Sequence, residues 1–204
     1  MGHDYLLKEY ELCFEQLRFY DERHESILKY IVSLASAAAT AQFAIYQYLH
    51  GANIAFFWSL ALLSGLVFFS TVLLAMAMLQ NRLYFVYVAR QINAIRGYLI
   101  RVAAGGFRDN QMYTSTDFPA LKPFSVHTFQ LLGAALISSV FGGVMAYALR
   151  PAMGYKPCIA AGVAVSFLIF AGEVGGGARY LATQGRKKAD EAVHRRPAGG
   201  SSAG

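Results

Sequence analysis

Residues 30–81 read YIVSLASAAATAQFAIYQYLHGANIAFFWSLALLSGLVFFSTVLLAMAMLQN and contain no Asp, Glu, Lys or Arg. A soluble domain seldom goes 52 residues without a charge, whereas about 20 apolar residues are enough to cross a bilayer as a helix. The run is long enough for two crossings, separated by the turn sequence at 50–53. It therefore predicts a hairpin of two transmembrane helices.

Two further stretches lack charge: 123–149, which lies between Lys122 and Arg150, and 157–172, which lies between Lys156 and Glu173. Together with the first run they predict an all-α integral membrane protein with four transmembrane helices. We place the spans at about 28–49, 55–79, 125–149 and 157–182. This leaves no room for a soluble catalytic domain of about 100 residues or more, so an enzyme is not expected.

The first two helices extend well beyond their spans. No proline occurs at 4–49 or 55–102, and at about 1.5 Å per residue each helix would be on the order of 70 Å long, more than the bilayer needs. We expect the excess to form an antiparallel cytoplasmic stalk, because the first helix is mostly acidic there and the second is basic. The apolar faces that would meet are Leu6, Tyr10, Cys13, Leu17, Tyr20 and His24 on the first helix and Tyr84, Val88, Ile92, Ile95 and Leu99 on the second.

The remaining organisation follows from composition. Residues 1–102 form the long-helix hairpin, 103–124 a polar, glycine-rich cytoplasmic linker, 125–182 a second hairpin, and 183–204 a basic tail. The tail ends in Pro-Ala-Gly-Gly-Ser-Ser-Ala-Gly, which has little apolar surface to bury and is expected to be disordered.

The distribution of Lys and Arg predicts how the chain is threaded. Six lie in 82–122 and six more from position 179 onward, whereas the 50–53 turn has none and the 150–156 turn has two. Positively charged loops stay in the cytoplasm, so both termini are expected there. The same asymmetry explains the net charge of +6, and no nucleic-acid partner is expected. The charged first 25 residues give no sign of a cleavable signal peptide.

A stripe of polar side chains on the first helix is the main candidate for function. At about 100° per residue its members fall within about 60° of one another. They are Lys29, Ser33, Ser36, Thr40 and Gln47. Lipid satisfies no hydroxyl or amide, so such a line suits a water-lined pathway or a polar helix interface. Close helix packing is the commoner use, and both interpretations stay open. Gln42 lies on the opposite side and is expected to bond to a neighbouring helix.

Small residues recur on the last two helices. Rows at a spacing of four run through Ala135, Ser139 and Gly143, through Ser138, Gly142 and Ala146, and through Gly172 and Gly176. Such rows allow two helix backbones to approach closely, within one chain or between chains.

Glu173 is the acidic residue placed within a predicted span. It lies about 24 Å along the fourth helix, close to the cytoplasmic boundary. Acids inside membranes tend to be functional, so it is a candidate proton or cation site. A pair with Arg179 or an approach to the interface would explain it equally well.

Four polar residues near one face of the second helix are candidates for binding an anionic ligand or lipid phosphate: Arg82, Arg90, Asn93 and Arg101. A salt-bridged stalk face is the more economical explanation. The sequence has no phosphate-binding glycine loop, no Ser/His/Asp set and no metal-ligand spacing, so neither a cofactor nor a metal is expected.

The first half resembles the SLATT class of small bacterial membrane proteins. The resemblance covers residues 4–102 and is architectural: an amphipathic helix from Leu6-Leu7-Lys8-Glu9-Tyr10 to Arg23-His24 runs into a span, and a second span continues into a charged helix from Asn81-Arg82-Leu83 to Arg96-Gly97-Tyr98. The second pair of spans departs from that class. The resemblance implies an oligomeric, pore-forming defence effector of the bacterial inner membrane, gated by a cytoplasmic partner.

These observations favour an oligomeric channel or pore in the lipid bilayer, controlled through a stalk that binds a cytoplasmic protein or a small anionic ligand. The alternative is a non-conducting membrane anchor or scaffold whose stalk recruits a cytoplasmic partner. The polar stripe distinguishes them, because it faces water in the first and lies between helices in the second.

Overall fold

The computed structural model of the chain describes residues 2–49, 53–102, 114, 118–156 and 159–194. Over these residues it consists of four helices, which in chain order are α1 (Gly2–Tyr48), α2 (Ile54–Val102), α3 (Val126–Ala152) and α4 (Ile159–His194). Each helix is long and apolar enough to cross a membrane. The predicted all-helical fold with four helices long and apolar enough for membrane spans is thereby confirmed over these residues. The four apolar helices suggest an integral membrane protein.

The ends of the first two helices agree with the sequence, but α4 is longer than predicted. α1 has 47 residues and α2 has 49, which corresponds to about 70 Å each. α4 continues to His194 rather than ending at about 182, because Leu181 and Gly185 are buried and extend its packed side. This corrects the predicted start of the tail. The residues at 50–52, 103–113, 115–117 and 195–204, including most of the predicted linker and the end of the tail, lie outside the described residues.

Local side-chain bonds explain where α2 and α3 begin. The Asn53 side-chain oxygen accepts a hydrogen bond from the Phe56 amide at 2.9 Å, and the Ser125 hydroxyl accepts one from the Thr128 amide at 3.3 Å. Both are N-caps, which satisfy amides that have no partner within the helix. After α3, Gly154 has a φ of +79°, a left-handed conformation that glycine adopts without strain.

The described chain packs as two units. The first, which we call the apolar unit, comprises Arg23–Gln80 and Pro123–Gly177. Its core is the cluster of Ile27, Ile31, Met78 and Ala134. α3 and α4 approach closely where a side chain added at Gly143 would lie 2.6 Å from the Gly162 carbonyl oxygen. The close helix contact predicted for the small-residue row through Gly143 is therefore present within one chain.

The second, the charged unit, comprises Met1–Glu22, Asn81–Lys122 and Ala178–Gly204. The Tyr20 and Tyr84 rings stack with centroids 5.8 Å apart, and Arg96 Nε donates to the Tyr10 hydroxyl at 2.7 Å. In these two contacts a lower position in α1 meets a higher position in α2, so the two helices run antiparallel here. The last part of α4 joins them, since the Tyr87 hydroxyl donates to the Gln184 carbonyl at 3.5 Å. The sequence did not predict this third helix.

Candidate functional site

The polar stripe of α1 lies on the exposed side of the helix. All five of its residues are exposed, whereas Ile31 and Ala38, on the other side of the same helix, are buried. The stripe is centred nearly opposite these core positions when α1 is followed at about 100° per residue. The stripe therefore faces away from the core of the apolar unit.

Two hydroxyls of the stripe bond to the backbone of α1 itself. Ser36 Oγ donates to the Val32 carbonyl at 2.8 Å, and Thr40 Oγ1 donates to the Ser36 carbonyl at 2.9 Å. These bonds satisfy the hydroxyl hydrogens without water. They leave the hydroxyl oxygens free to accept a bond from water or from another helix.

At the N-terminal end of the stripe, Lys29 forms an exposed ion pair with Glu25, in which Nζ lies 2.8 Å from a carboxylate oxygen. The hydrogen bond from Lys29 and its charge hold the pKa of Glu25 below its usual value. On the buried side of α1, Gln42 Nε2 donates to Ser64 Oγ of α2 at 2.8 Å. The prediction that Gln42 bonds to a neighbouring helix is confirmed.

Glu173 is joined to α3. Ser138 Oγ donates to a Glu173 carboxylate oxygen at 2.5 Å, and the Ser138 side chain is fully buried. This partner lies on the neighbouring helix of the same hairpin, and among the described residues no ion pair joins Glu173 to Arg179. A half-buried carboxyl between two helices is chemically able to hold a proton or bind a cation, while its hydrogen bond also contributes to the α3–α4 contact.

The arginine candidates occupy two different environments. Arg82 is 4% exposed, and its Nε donates to the Ala120 carbonyl at 3.2 Å. Arg90 is partly exposed; its Nε donates to the Phe118 carbonyl at 3.0 Å and its Nη1 to the Gly185 carbonyl at 2.9 Å. Asn93 is buried, whereas Arg101 is exposed at the end of α2. The structure thus brings Arg82 and Arg90 to one short segment.

These contacts differ from the salt-bridged face that the sequence favoured. The Arg82 guanidinium lies 5.1 Å from the Phe85 ring centroid and 5.8 Å from that of Phe118. Burial lowers the pKa of Arg82 to about 10, an effect that the nearby charge of Asp21 opposes. The guanidinium therefore stays charged at neutral pH, although its hydrogen-bond acceptor is a neutral carbonyl.

A pair of histidines in the apolar unit was not predicted. His24 is 1% exposed, and its ring meets that of His127 edge to face with centroids 5.0 Å apart. The helical spacing of α1 places His24 on the inward face, but no local pattern links it to a residue about a hundred positions away. Among the described residues no group of three or more His, Cys, Asp or Glu could hold a metal ion.

Cys13 lies in the charged unit and is 4% exposed. Burial, and next the charge of Glu9, raise the pKa of its thiol above the usual value. The thiol is therefore protonated at neutral pH and a weak nucleophile, consistent with a packing role on the face that the sequence assigned to it.

Comparisons with protein-family models, curated proteins and solved structures found no match. The resemblance of residues 4–102 to the SLATT class stays a prediction that rests on the arrangement of helices.

Proposed function

We propose that the protein is a homo-oligomeric channel of a bacterial plasma membrane, in which the polar stripe of α1 lines a water-filled path between copies. The observation that supports this is the exposure of all five stripe residues on the side of α1 opposite the core. Polar groups at the depth of a membrane span are costly against lipid, so they favour water or another protein surface.

The limited burial of the helices supports assembly. In its most apolar segment α3 has the largest share of buried residues, whereas α1 has a smaller share and α4 has very few. A single copy therefore offers helix faces that lipid or further copies must cover. Gly172 and Gly176 of α4 have no atom within 4 Å of where a side chain would begin, which suits contact with a second copy.

We place both termini and the charged unit in the cytoplasm, where the unit would act as the stalk that controls the path. Reporters fused after Arg108 and Arg196 should report cytoplasm, and tags at Gly51 and Gly154 should be accessible from outside, because the Lys and Arg residues concentrate in 82–122 and beyond 179. External labelling at position 108 would contradict this orientation.

A non-conducting scaffold is the second candidate, and one observation favours it. The Ser36 and Thr40 hydroxyls already donate to backbone carbonyls, so the stripe can pack against another helix without needing water. In that arrangement the stripe is an interface between copies, and the charged unit serves to recruit a cytoplasmic protein.

Replacing Ser36 or Thr40 with Leu separates the two functions. In a channel the added apolar side chain narrows and dries the path, so ion flux from proteoliposomes falls while assembly survives. In a packed interface the larger side chain does not fit. It destabilises the contact between copies by about 1–3 kcal/mol, and the oligomer dissociates. Ala39→Leu is the matched control, because Ala39 is exposed but lies about 90° from the centre of the stripe.

Flux and oligomeric state must be measured on the same samples. Wild-type protein that assembles but conducts nothing, with and without cell extract to supply a trigger, would rule out the channel. Equal loss of flux in Ala39→Leu and Thr40→Leu would show that the flux does not depend specifically on the polar stripe.

A further inference from the structure

The charged unit contains two arginines whose hydrogen bonds end on backbone carbonyls. Arg82 and Arg90 bond to Ala120 and Phe118, at the two ends of the segment 118–120, which we call the strap. Arg90 also bonds to Gly185 of α4. Within the part of the chain that the structure describes, neither arginine forms an ion pair.

This arrangement leaves positive charge without a bonded counter-charge. Arg82 is almost fully buried, and desolvating an ion of this kind costs several kcal/mol even after relaxation. The two phenylalanine rings and the Asp21 charge offset part of that cost. Buried charges in proteins are usually paired with an opposite charge through hydrogen bonds, and the acceptors here are neutral.

An oxyanion would be a better acceptor than the strap. Hydrogen bonds between a guanidinium and a charged oxygen are roughly twice as strong as those between neutral groups, and the planar guanidinium matches the oxygens of phosphate. In the described residues Nη2 of Arg90 has no hydrogen-bond partner. The exposed cations Lys122 and Arg186 follow the strap and Gly185 closely in the chain and would attract anions to this part of the protein.

We propose that Arg82 and Arg90 form a site for a phosphate-type oxyanion, which the strap carbonyls fill when no anion is bound. The ligand would be either the phosphodiester of an anionic lipid headgroup or a soluble phosphate compound. Its binding displaces the strap from Arg90 and from Gly185. The strap is therefore a segment that an anion releases, whether or not the protein conducts.

The contact between the strap and α4 offers a direct measurement. The Ala120 Cβ lies 3.0 Å from the position of a Cβ added at Gly185. This is slightly closer than the distance of about 3.5–4.5 Å between the Cβ atoms of a disulfide, so after a small shift cysteines at both positions would form one while the strap is in place. The experiment uses the full-length chain with Ala120→Cys and Gly185→Cys, in a background where Cys13→Ser and Cys158→Ser remove the native thiols. The rate of disulfide formation with diamide is then followed in lipid vesicles.

Three conditions identify the anion. Phosphatidylcholine vesicles in chloride give the reference rate, pyrophosphate is added to the same vesicles at equal ionic strength, and phosphatidylglycerol vesicles replace them without pyrophosphate. We expect at least one of the last two to slow the disulfide by about fivefold, as a site occupied in most molecules requires. Slowing in phosphatidylglycerol assigns the site to a lipid headgroup, and slowing only with pyrophosphate assigns it to a soluble phosphate.

The controls distinguish a site from general charge screening. Arg90→Gln should abolish the response to the anion, whereas Arg101→Gln, which removes an exposed arginine of the same helix, should keep it. Hydrogen exchange at the amides of 120–122 in a chain without the engineered cysteines is a second measurement, and should become faster with the same anion. Unchanged disulfide and exchange rates in both anionic conditions, or an equal loss of response in Arg101→Gln, would overturn the proposal.

Discussion

The apolar unit and the charged unit are held together by different interactions. In the apolar unit the backbones of α3 and α4 approach at Gly143 and Gly162, and polar side chains pair across helices, as Ser138 does with Glu173. In the charged unit, arginines donate to carbonyls and a tyrosine hydroxyl and lie against aromatic rings.

The difference is the one expected if, as proposed above, the apolar unit lies in lipid and the charged unit in water. Lipid supplies neither hydrogen bonds nor a hydrophobic drive for helices to associate, so spans rely on close packing and on polar groups that satisfy one another. Water competes for every polar contact of an exposed unit, so each of its hydrogen bonds contributes only about 0.5–1.5 kcal/mol, or more where a charge takes part. We therefore expect substitutions that change side-chain size to destabilise the apolar unit most. Substitutions that remove a charge should destabilise the charged unit most.

The largest effect is expected from Gly143→Ala. The added Cβ would lie 2.6 Å from the Gly162 carbonyl oxygen and would collide with the Ser166 side chain, so the hairpin should lose about 2–3 kcal/mol of stability. Gly133→Ala in the same helix is the matched control, because it meets nothing within 4 Å and gains up to about 1 kcal/mol of helix propensity. Unfolding titrations in detergent compare them, and equal stability of the two variants would refute the close contact.

Arg82→Ala should have a smaller effect, confined to the charged unit. It removes the hydrogen bond to the Ala120 carbonyl and the contacts with two phenylalanine rings. Their loss should lower the stability of the charged unit by about 2 kcal/mol. Hydrogen exchange should become faster at 120–122 and stay unchanged in the spans. Arg101→Ala, at an exposed position, should change neither, and a uniform rise in exchange over the whole chain would contradict the assignment of Arg82 to one unit.

Cross-linking tests the register of the charged unit without changing its stability greatly. Leu17 and Val88 lie between the contacts of Tyr20 with Tyr84 and of Tyr10 with Arg96, so cysteines at 17 and 88 should form a disulfide within one chain. A pair at 12 and 88 is the control, since Leu12 is exposed. Products that link two chains instead of one would indicate helices exchanged between copies.

The smallest effect concerns the exposed pair of Glu25 and Lys29. Lys29→Met should raise the pKa of Glu25 back toward its usual value, because Lys29 supplies the hydrogen bond and charge that lower it. A carboxyl with a lowered pKa stabilises the fold above its unfolded pKa, and this contribution is lost as pH falls through the folded value. NMR titration of the Glu25 carboxyl measures the shift, and an unchanged pKa in Lys29→Met would show that another group causes it.

Several features of the fold could be predicted from local patterns. Charge-free runs extend over many residues, so they located the four apolar helices well. Helical spacing placed Cys13, Ile92 and Ile95 on inward faces, where they are buried. The contact of Gln42 with a neighbouring helix followed from the cost of an unsatisfied amide in lipid. The end of α4 was missed because its sequence beyond 182 is polar and basic, and its helix packs on parts of the chain far away in sequence.

The sequence by itself determined the number of apolar helices, their approximate ends and the residues of the polar stripe, because hydropathy, proline positions and helical periodicity are local properties of the chain. Only the tertiary structure decided which partners those residues meet. It turned the stripe away from the core, joined Glu173 to Ser138, and gave Arg82 and Arg90 carbonyl acceptors in place of the expected acids. The physical reason is that a polar side chain has many acceptors of similar energy, and the packing of distant helices selects among them.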